Sequence, residues 1–172
     1  MADTSVFRRR YSCRRFAGTN LSRAELEHIL EAAVWAPSAG NLQPWRFIVV
    51  TADELKARLA EAAHQNFVAE APVVIVVCAV PGESARRYGE RGRSLYSLQD
   101  TAAATQNILL AAAELGLGSC WVGAFEEPAA AKALGLPPAW RPVALVPLGH
   151  PLETATARER RPIQDVVLFR SG

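Results

Sequence analysis

Apolar positions first fall into a helical period at Leu26, Ile29, Leu30, Ala33 and Val34, which share one face of a helix over residues 22–36. Ser22 and Glu25 make an S-x-x-E capping box at its start, Leu21 can staple onto Leu26, and Pro37 ends it. Residues 38–45 have no period and are small or polar. Phe47–Val50 then reads as a strand. Thr51 and Glu54 repeat the capping-box spacing and predict a second helix to about Ala63. Val73–Val80 is unbroken apolar sequence between Pro72 and Pro81, the mark of a strand covered on both faces and too short to cross a bilayer. Residues 82–93 are charged and punctuated by glycine, which predicts a mobile loop or lid. From Leu95 to Leu115, Ala and Leu extend around most of a helical cylinder, so that helix is expected in a core or at a subunit interface. Gly116 and Gly118 stop it. Cys120–Val122, Val143–Leu148 and a tail at Val166–Phe169 read as strands. Between the first two, Pro128 opens a short helix that Gly135 caps.

This order predicts an α+β fold with one central mixed sheet flanked by helices. The 172 residues suit one domain over 1–172, and 50% hydrophobic with 21% charged residues are globular values. The net charge of +2 gives no reason to expect a nucleic-acid or membrane partner. Its make-up is more informative: 17 of the 19 basic residues are Arg, whose planar fork grips phosphate and carboxylate. The three cysteines, Cys13, Cys78 and Cys120, contain no C-x-x-C pair, which excludes a zinc ribbon and suits a reducing compartment. No apolar segment follows Arg8–Arg10, so a secretory signal is not expected and the localisation expected is cytoplasmic.

Several chemistries lack their residues. His28, His64 and His150 are scattered, and no metal site is expected. No P-loop and no G-x-S-x-G elbow occurs. Gly116-Leu117-Gly118 follows a helix and precedes a strand, the reverse of a dinucleotide fingerprint, and reads as a helix end.

What remains is a set of binding groups. Arg8–Phe16 and Arg158–Pro162 are basic clusters near the two ends. Each alone suits solvated surface, and together they can close on one anion, since termini of small domains often lie close. The loop Pro37–Trp45 carries Asn41 and Gln43, whose amides both donate and accept and so suit the edge of a heterocycle. A phosphate grip and an amide loop without an acid–base pair suggest a cofactor that brings its own chemistry, and flavin mononucleotide (FMN) fits.

These segments resemble the nitroreductase family of FMN-dependent oxidoreductases. Arg10-Tyr11-Ser12-Cys13-Arg14-Arg15-Phe16 is similar to its R-[RH]-S-x-[RK]-x-[FY] start, and Pro37–Trp45 to its P-S-x-x-N-x-Q-P-W loop. Gly116–Phe125, Leu148–Pro151 and Arg160-Arg161-Pro162 resemble later family segments in the same order. The resemblance implies a homodimer with FMN at the subunit interface. It implies that Arg10, Tyr11, Ser12 and Arg14 grip the phosphate and ribityl chain, joined by Arg158 and Arg160. Pro37, Ser38, Asn41 and Gln43 would reach the flavin from the opposing subunit or pack beside it. The backbone at Gly123 and Ala124 would face flavin N5, and Gln65 the pyrimidine edge. Tyr11 stands where Arg or His is commoner, so its contact is expected to be packing. The chain also lacks the long helical insertion of larger relatives, which leaves 82–93 as the candidate lid.

The implied reaction is ping-pong hydride transfer from NADH or NADPH to a small-molecule acceptor such as a nitroaromatic, quinone or enone. No side chain acts as a nucleophile, and solvent or Tyr11 protonates the product. Alternatives are a family member that consumes reduced flavin, as in dimethylbenzimidazole formation, and a flavin-binding module without turnover.

Overall fold

The computed structural model describes residues 5–154 and 159–170. Its elements are helices α1 (Ser5–Arg9), α2 (Arg23–Val34), α3 (Asp53–Ala63), α4 (Phe67–Glu70), α5 (Pro81–Arg91), α6 (Ser97–Glu114) and α7 (Glu127–Leu134), and strands β1 (Trp45–Val50), β2 (Val73–Ala79), β3 (Gly118–Ser119) and β4 (Arg141–Gly149). The sheet order is β1-β2-β4-β3, with every ladder antiparallel. The parallel component that makes the sheet mixed is a single bridge between Ser12 and Ser119 at the β3 edge.

Side chains alternate across a strand, so the unbroken apolar run of β2 must be covered on both faces. Val73, Ile75 and Val77 pack with Ile29 and Ala33 of α2 and Ile108 and Ala112 of α6. Val74, Val76 and Cys78 pack with Leu59 of α3, Val68 of α4, Ala130 of α7 and Leu145 of β4. The α6 helix is buried along most of its circumference, with Ala104, Ile108 and Ala112 fully so, as its all-round apolar sequence predicts. The Ser22–Glu25 capping box is formed in both directions.

Four local expectations change. The second capping box is not formed: Ala52 is the N-cap of α3, and Asp53 and Glu54 lie inside its first turn, where acidic groups suit the helix dipole. Residues 82–93 are not an open loop. Pro81 starts α5, which kinks at Gly89 (φ 57°) and continues as a π-turn at Gly92–Tyr96. Gly92 has no room for a side chain, because a Cβ there would strike the Ser84 carbonyl. The glycines thus fold this segment into a helical hairpin. Cys120–Val122 is not a regular strand: the Cys120 amide donates to the Pro147 carbonyl of β4 (3.2 Å), and Val122 forms an isolated bridge with Leu145. Residues 166–169 follow a 3-10 turn at Ile163–Asp165 and pair with no strand among the described residues; Leu168 is 75% and Phe169 88% exposed.

Candidate functional site

The segment Arg10–Phe16 runs along the β3 edge as an extended strip. The Cys13 amide donates to the Ser119 carbonyl (2.9 Å), and the strip buries Cys13 and Phe16 while Ser12, Arg14 and Arg15 stay exposed. Gly118 permits this close approach: a Cβ there would lie 2.6 Å from Cys13 Sγ and 2.8 Å from its Cβ. Glu153 secures the other side. Its carbonyl accepts from the Tyr11 hydroxyl (2.7 Å), and its carboxylate accepts from the Arg14 amide (2.7 Å). Burial pushes the Tyr11 hydroxyl up to about 12, so it keeps its proton and anchors the strip. Arg10 is half-buried, and its Nε is sealed from solvent with no hydrogen-bond partner among the described residues. A buried charged donor without an acceptor is costly, and a phosphate oxygen is the natural group to satisfy it.

From β3 the chain passes through Val122 to the exposed backbone of Gly123 and Ala124. The Gln65 amide donates to the Ala124 carbonyl at 3.5 Å. His64, left-handed at φ 52°, ends α3 and turns the chain toward this point. The corner is fixed by Glu126 N–H donating to the Ala62 carbonyl (2.8 Å). Two residues after Gln65, the Phe67 ring lies under the Arg14 guanidinium at 5.7 Å. The strip Arg10–Arg14, tied to Phe67 through Arg14, and Gln65, tied to Ala124, thus lie with Gly123 along one connected surface, the cradle. Its thiols, Cys13 and Cys120, are buried, and burial is the first cause that raises both, which disfavours the thiolate.

The Pro37–Trp45 loop lies elsewhere. It enters β1 at Trp45, beside Ala79 of β2 and Arg141 of β4, at the opposite edge and the opposite end of the sheet from the strip. Three inter-strand steps separate β1 from β3, about 14 Å at ordinary strand spacing before any offset along the strands. No hydrogen bond, ion pair or ring contact joins loop and cradle among the described residues. The loop is held in a tight form: Gly40, Asn41 and Gln43 are all left-handed (φ 59°, 54° and 51°). The Ser38 hydroxyl accepts from Gln43 N–H (3.0 Å), and the two exposed amides touch, Gln43 Nε2 to Asn41 Oδ1 at 3.3 Å. Pro37 is exposed at its start. Arg158 falls outside the described residues. Arg160 is exposed, and its guanidinium donates to the Glu159 carbonyl (3.1 Å).

Sequence reading missed Asp100, although an acid in an apolar helix is a visible signal. Buried on α6, it accepts the Ala39 amide at 3.0 Å, while its second oxygen has no partner among the described residues. Burial raises its carboxyl above the usual value, with the Ala39 bond opposing. An acid raised on folding binds its proton more tightly in the folded state, so its contribution to stability falls as pH rises from 3.8 through the raised value. Asp100→Asn keeps an acceptor for Ala39 and removes the buried charge. Urea melts at pH 4.5 and 7 should show the variant gaining on the parent at the higher pH. Phe67 and Glu153 carried no sequence signal of their roles.

The nitroreductase family model matches residues 7–69 and 63–150. A protein of Archaeoglobus fulgidus named as an NADH dehydrogenase/NAD(P)H nitroreductase is 41% identical over 147 residues, which is 83% of this chain and 81% of its own length. The NADH dehydrogenase of Thermus thermophilus is 34% identical over 98% of this chain and 96% of its own. The crystal structure of a nitroreductase family protein from Clostridium difficile superposes with a TM-score of 0.86 at 29% identity, covering 99% of each chain.

Proposed function

This chain belongs to the nitroreductase family of oxidoreductases, and on that premise we propose that it is an FMN-dependent NAD(P)H oxidoreductase that acts as a homodimer on nitroaromatic, quinone or related acceptors. The observation that carries the reading is the strip with its orphaned Arg10 Nε, set among exposed Ser12 and Arg14 and adjoining the Gly123–Ala124 backbone. Arg10, Ser12 and Arg14 would hold the phosphate and ribityl chain, with Arg158 and Arg160 joining from the tail. Gly123 and Ala124 would present backbone toward N5, and Gln65 its amide toward the pyrimidine edge. The separation of loop from cradle across the sheet supports a site built by two chains, in which Pro37, Ser38, Asn41 and Gln43 come from the opposing subunit. A two-fold dimer builds two such sites by symmetry.

The chemistry that bound FMN supplies is hydride transfer at N5, from NAD(P)H and then to the acceptor. The protein's part is to bind and orient. The guanidinium groups favour negative charge gained on reduction. The Tyr11 hydroxyl donates to a carbonyl and keeps its proton, so the proton for the product comes from solvent. Purified protein should be yellow, release FMN on denaturation, and be bleached anaerobically by NADH or NADPH, then reoxidised by an acceptor. Colourless protein that takes up no added FMN would overturn the cofactor assignment; bound flavin that neither nicotinamide bleaches would overturn the dehydrogenase step.

A further inference from the structure

A cavity of about 470 Å³ opens between the amide loop and α5, lined by Leu42, Gln43, Arg46, Glu83, Arg86 and Arg87. That volume is in the range of small-ligand sites. Its charges do not balance. Arg46 takes the only carboxylate, Glu83, at 2.5 Å, so one guanidinium is neutralised. Arg86 has no hydrogen-bond, ion-pair or ring partner among the described residues. Arg87 has no hydrogen-bond or ion-pair partner among the described residues and lies over the Tyr88 ring, 5.4 Å from its guanidinium carbon to the ring centroid. Two positive charges thus face one cavity without a counter-charge.

The cavity is tied directly to the cofactor loop. At Gly40 a Cβ would lie 2.6 Å from Tyr88 Oη and 2.8 Å from Arg87 Nη1, so α5 rests on the loop backbone where glycine leaves room. Gln43 belongs both to the loop and to the cavity wall. The segment read from sequence as a lid is therefore a helix that presents Arg86 and Arg87, neither ion-paired among the described residues, beside the loop.

We infer that this cavity receives the anionic group, a phosphate or a carboxylate, of the molecule that exchanges hydride at the flavin. The inference rests on the proposed function, because it is the loop's reach to the flavin that brings the cavity to the reacting face. An arginine fork suits either anion through charge-assisted bonds. The phosphate would be the 2′-phosphate that distinguishes NADPH from NADH; the carboxylate would belong to the acceptor.

The FMN-loaded dimer and its Arg86→Gln, Arg87→Gln double variant separate these sources. Calorimetry with 2′,5′-ADP against 5′-AMP reads the phosphate arm without turnover. Oxidative half-reactions with 4-nitrobenzoate against 4-nitrobenzyl alcohol read the carboxylate arm. The double variant should lose about ten- to a hundredfold for the anionic member of one pair, keep the neutral or less charged member, and keep its flavin content. The loss should shrink as salt is added, since both arginines are exposed. Arg86→Glu alone, at an exposed residue that does not touch the loop glycine, changes the charge by the same two units and should reproduce the loss while leaving Arg87 against the loop. Equal changes for both members of both pairs, or none, would overturn the inference. Failure of the unmodified protein to bind FMN would instead overturn the proposed function and leave the 2′,5′-ADP result standing.

Discussion

Replacing Arg10 and Arg14 together with alanine is expected to weaken FMN binding by about 10²- to 10⁴-fold and to yield colourless protein. Each hydrogen bond to a charged group contributes about 1.5–3 kcal/mol, and two such losses multiply. Arg10 has the strongest structural claim, because its buried Nε is left without an acceptor among the described residues. Removing it relieves an orphaned donor as well as a ligand contact, so the variant should not be less stable than the parent in the absence of flavin. Arg14 also covers the Phe67 ring, which fixes the side chain near the cradle. Arg8 and Arg9 serve as the control. They are exposed on α1, and they carry the same charge in the same cluster. If the cluster acts only through its summed charge, Arg8→Ala with Arg9→Ala should do equal damage. If geometry decides, that pair should leave visible flavin absorbance nearly unchanged. Flavin titration of both double variants makes the distinction.

The second large effect is on stability. Leu145→Ala is expected to cost about 2–5 kcal/mol, measured as a fall in urea midpoint without a change in slope. Leu145 is fully buried in β4, pairs with Val76, and exchanges both backbone hydrogen bonds with Val122 (2.9 and 3.0 Å). Its side chain fills the layer between the sheet and α3, α4 and α7, where Leu59, Val68 and Ala130 are also fully buried. Domains carry only about 5–15 kcal/mol in total, so this loss is a large share. It has a functional signature too. Val122 leads straight to Gly123 and Ala124, so a cavity under it should loosen the cradle and lower flavin retention even while the protein stays folded.

Particular elements show how much sequence could reveal. The α2 helix was legible because its stripe, its cap and its terminating proline agree. The β2 strand was legible because an unbroken apolar run demands cover on both faces. What that run does not encode is its neighbours: the order β1-β2-β4-β3 arises from long-range pairing, and with it the fact that strip and loop occupy opposite edges. Thr51 misled because capping-box spacing alone does not decide which residue caps, and the chain uses Ala52. The α5 hairpin misled because Gly89 and Gly92 were read as loop punctuation, whereas they allow a kink and a close contact within helical backbone. Val166–Phe169 has the composition of a strand, but no described strand lies beside it. For the site, the motif residues lie on two surfaces, the strip beside β3 and the loop before β1, and their roles are part of the proposal. Asp100, Phe67 and Glu153 position those surfaces through contacts formed only in the folded chain.

The central claim is that one flavin site takes its cradle from one chain and its amide loop from another. Hybrid dimers test it directly. One partner carries Arg10→Ala and Arg14→Ala; the other carries Asn41→Ala and Gln43→Ala. Each variant alone should fail to retain FMN. In the hybrid, a shared site predicts one site with both defects and one with none, hence about one tightly bound flavin per dimer. Should each chain build its site alone, every site in the hybrid would keep one defect, and a hybrid that binds no more flavin than the two parents would contradict the account.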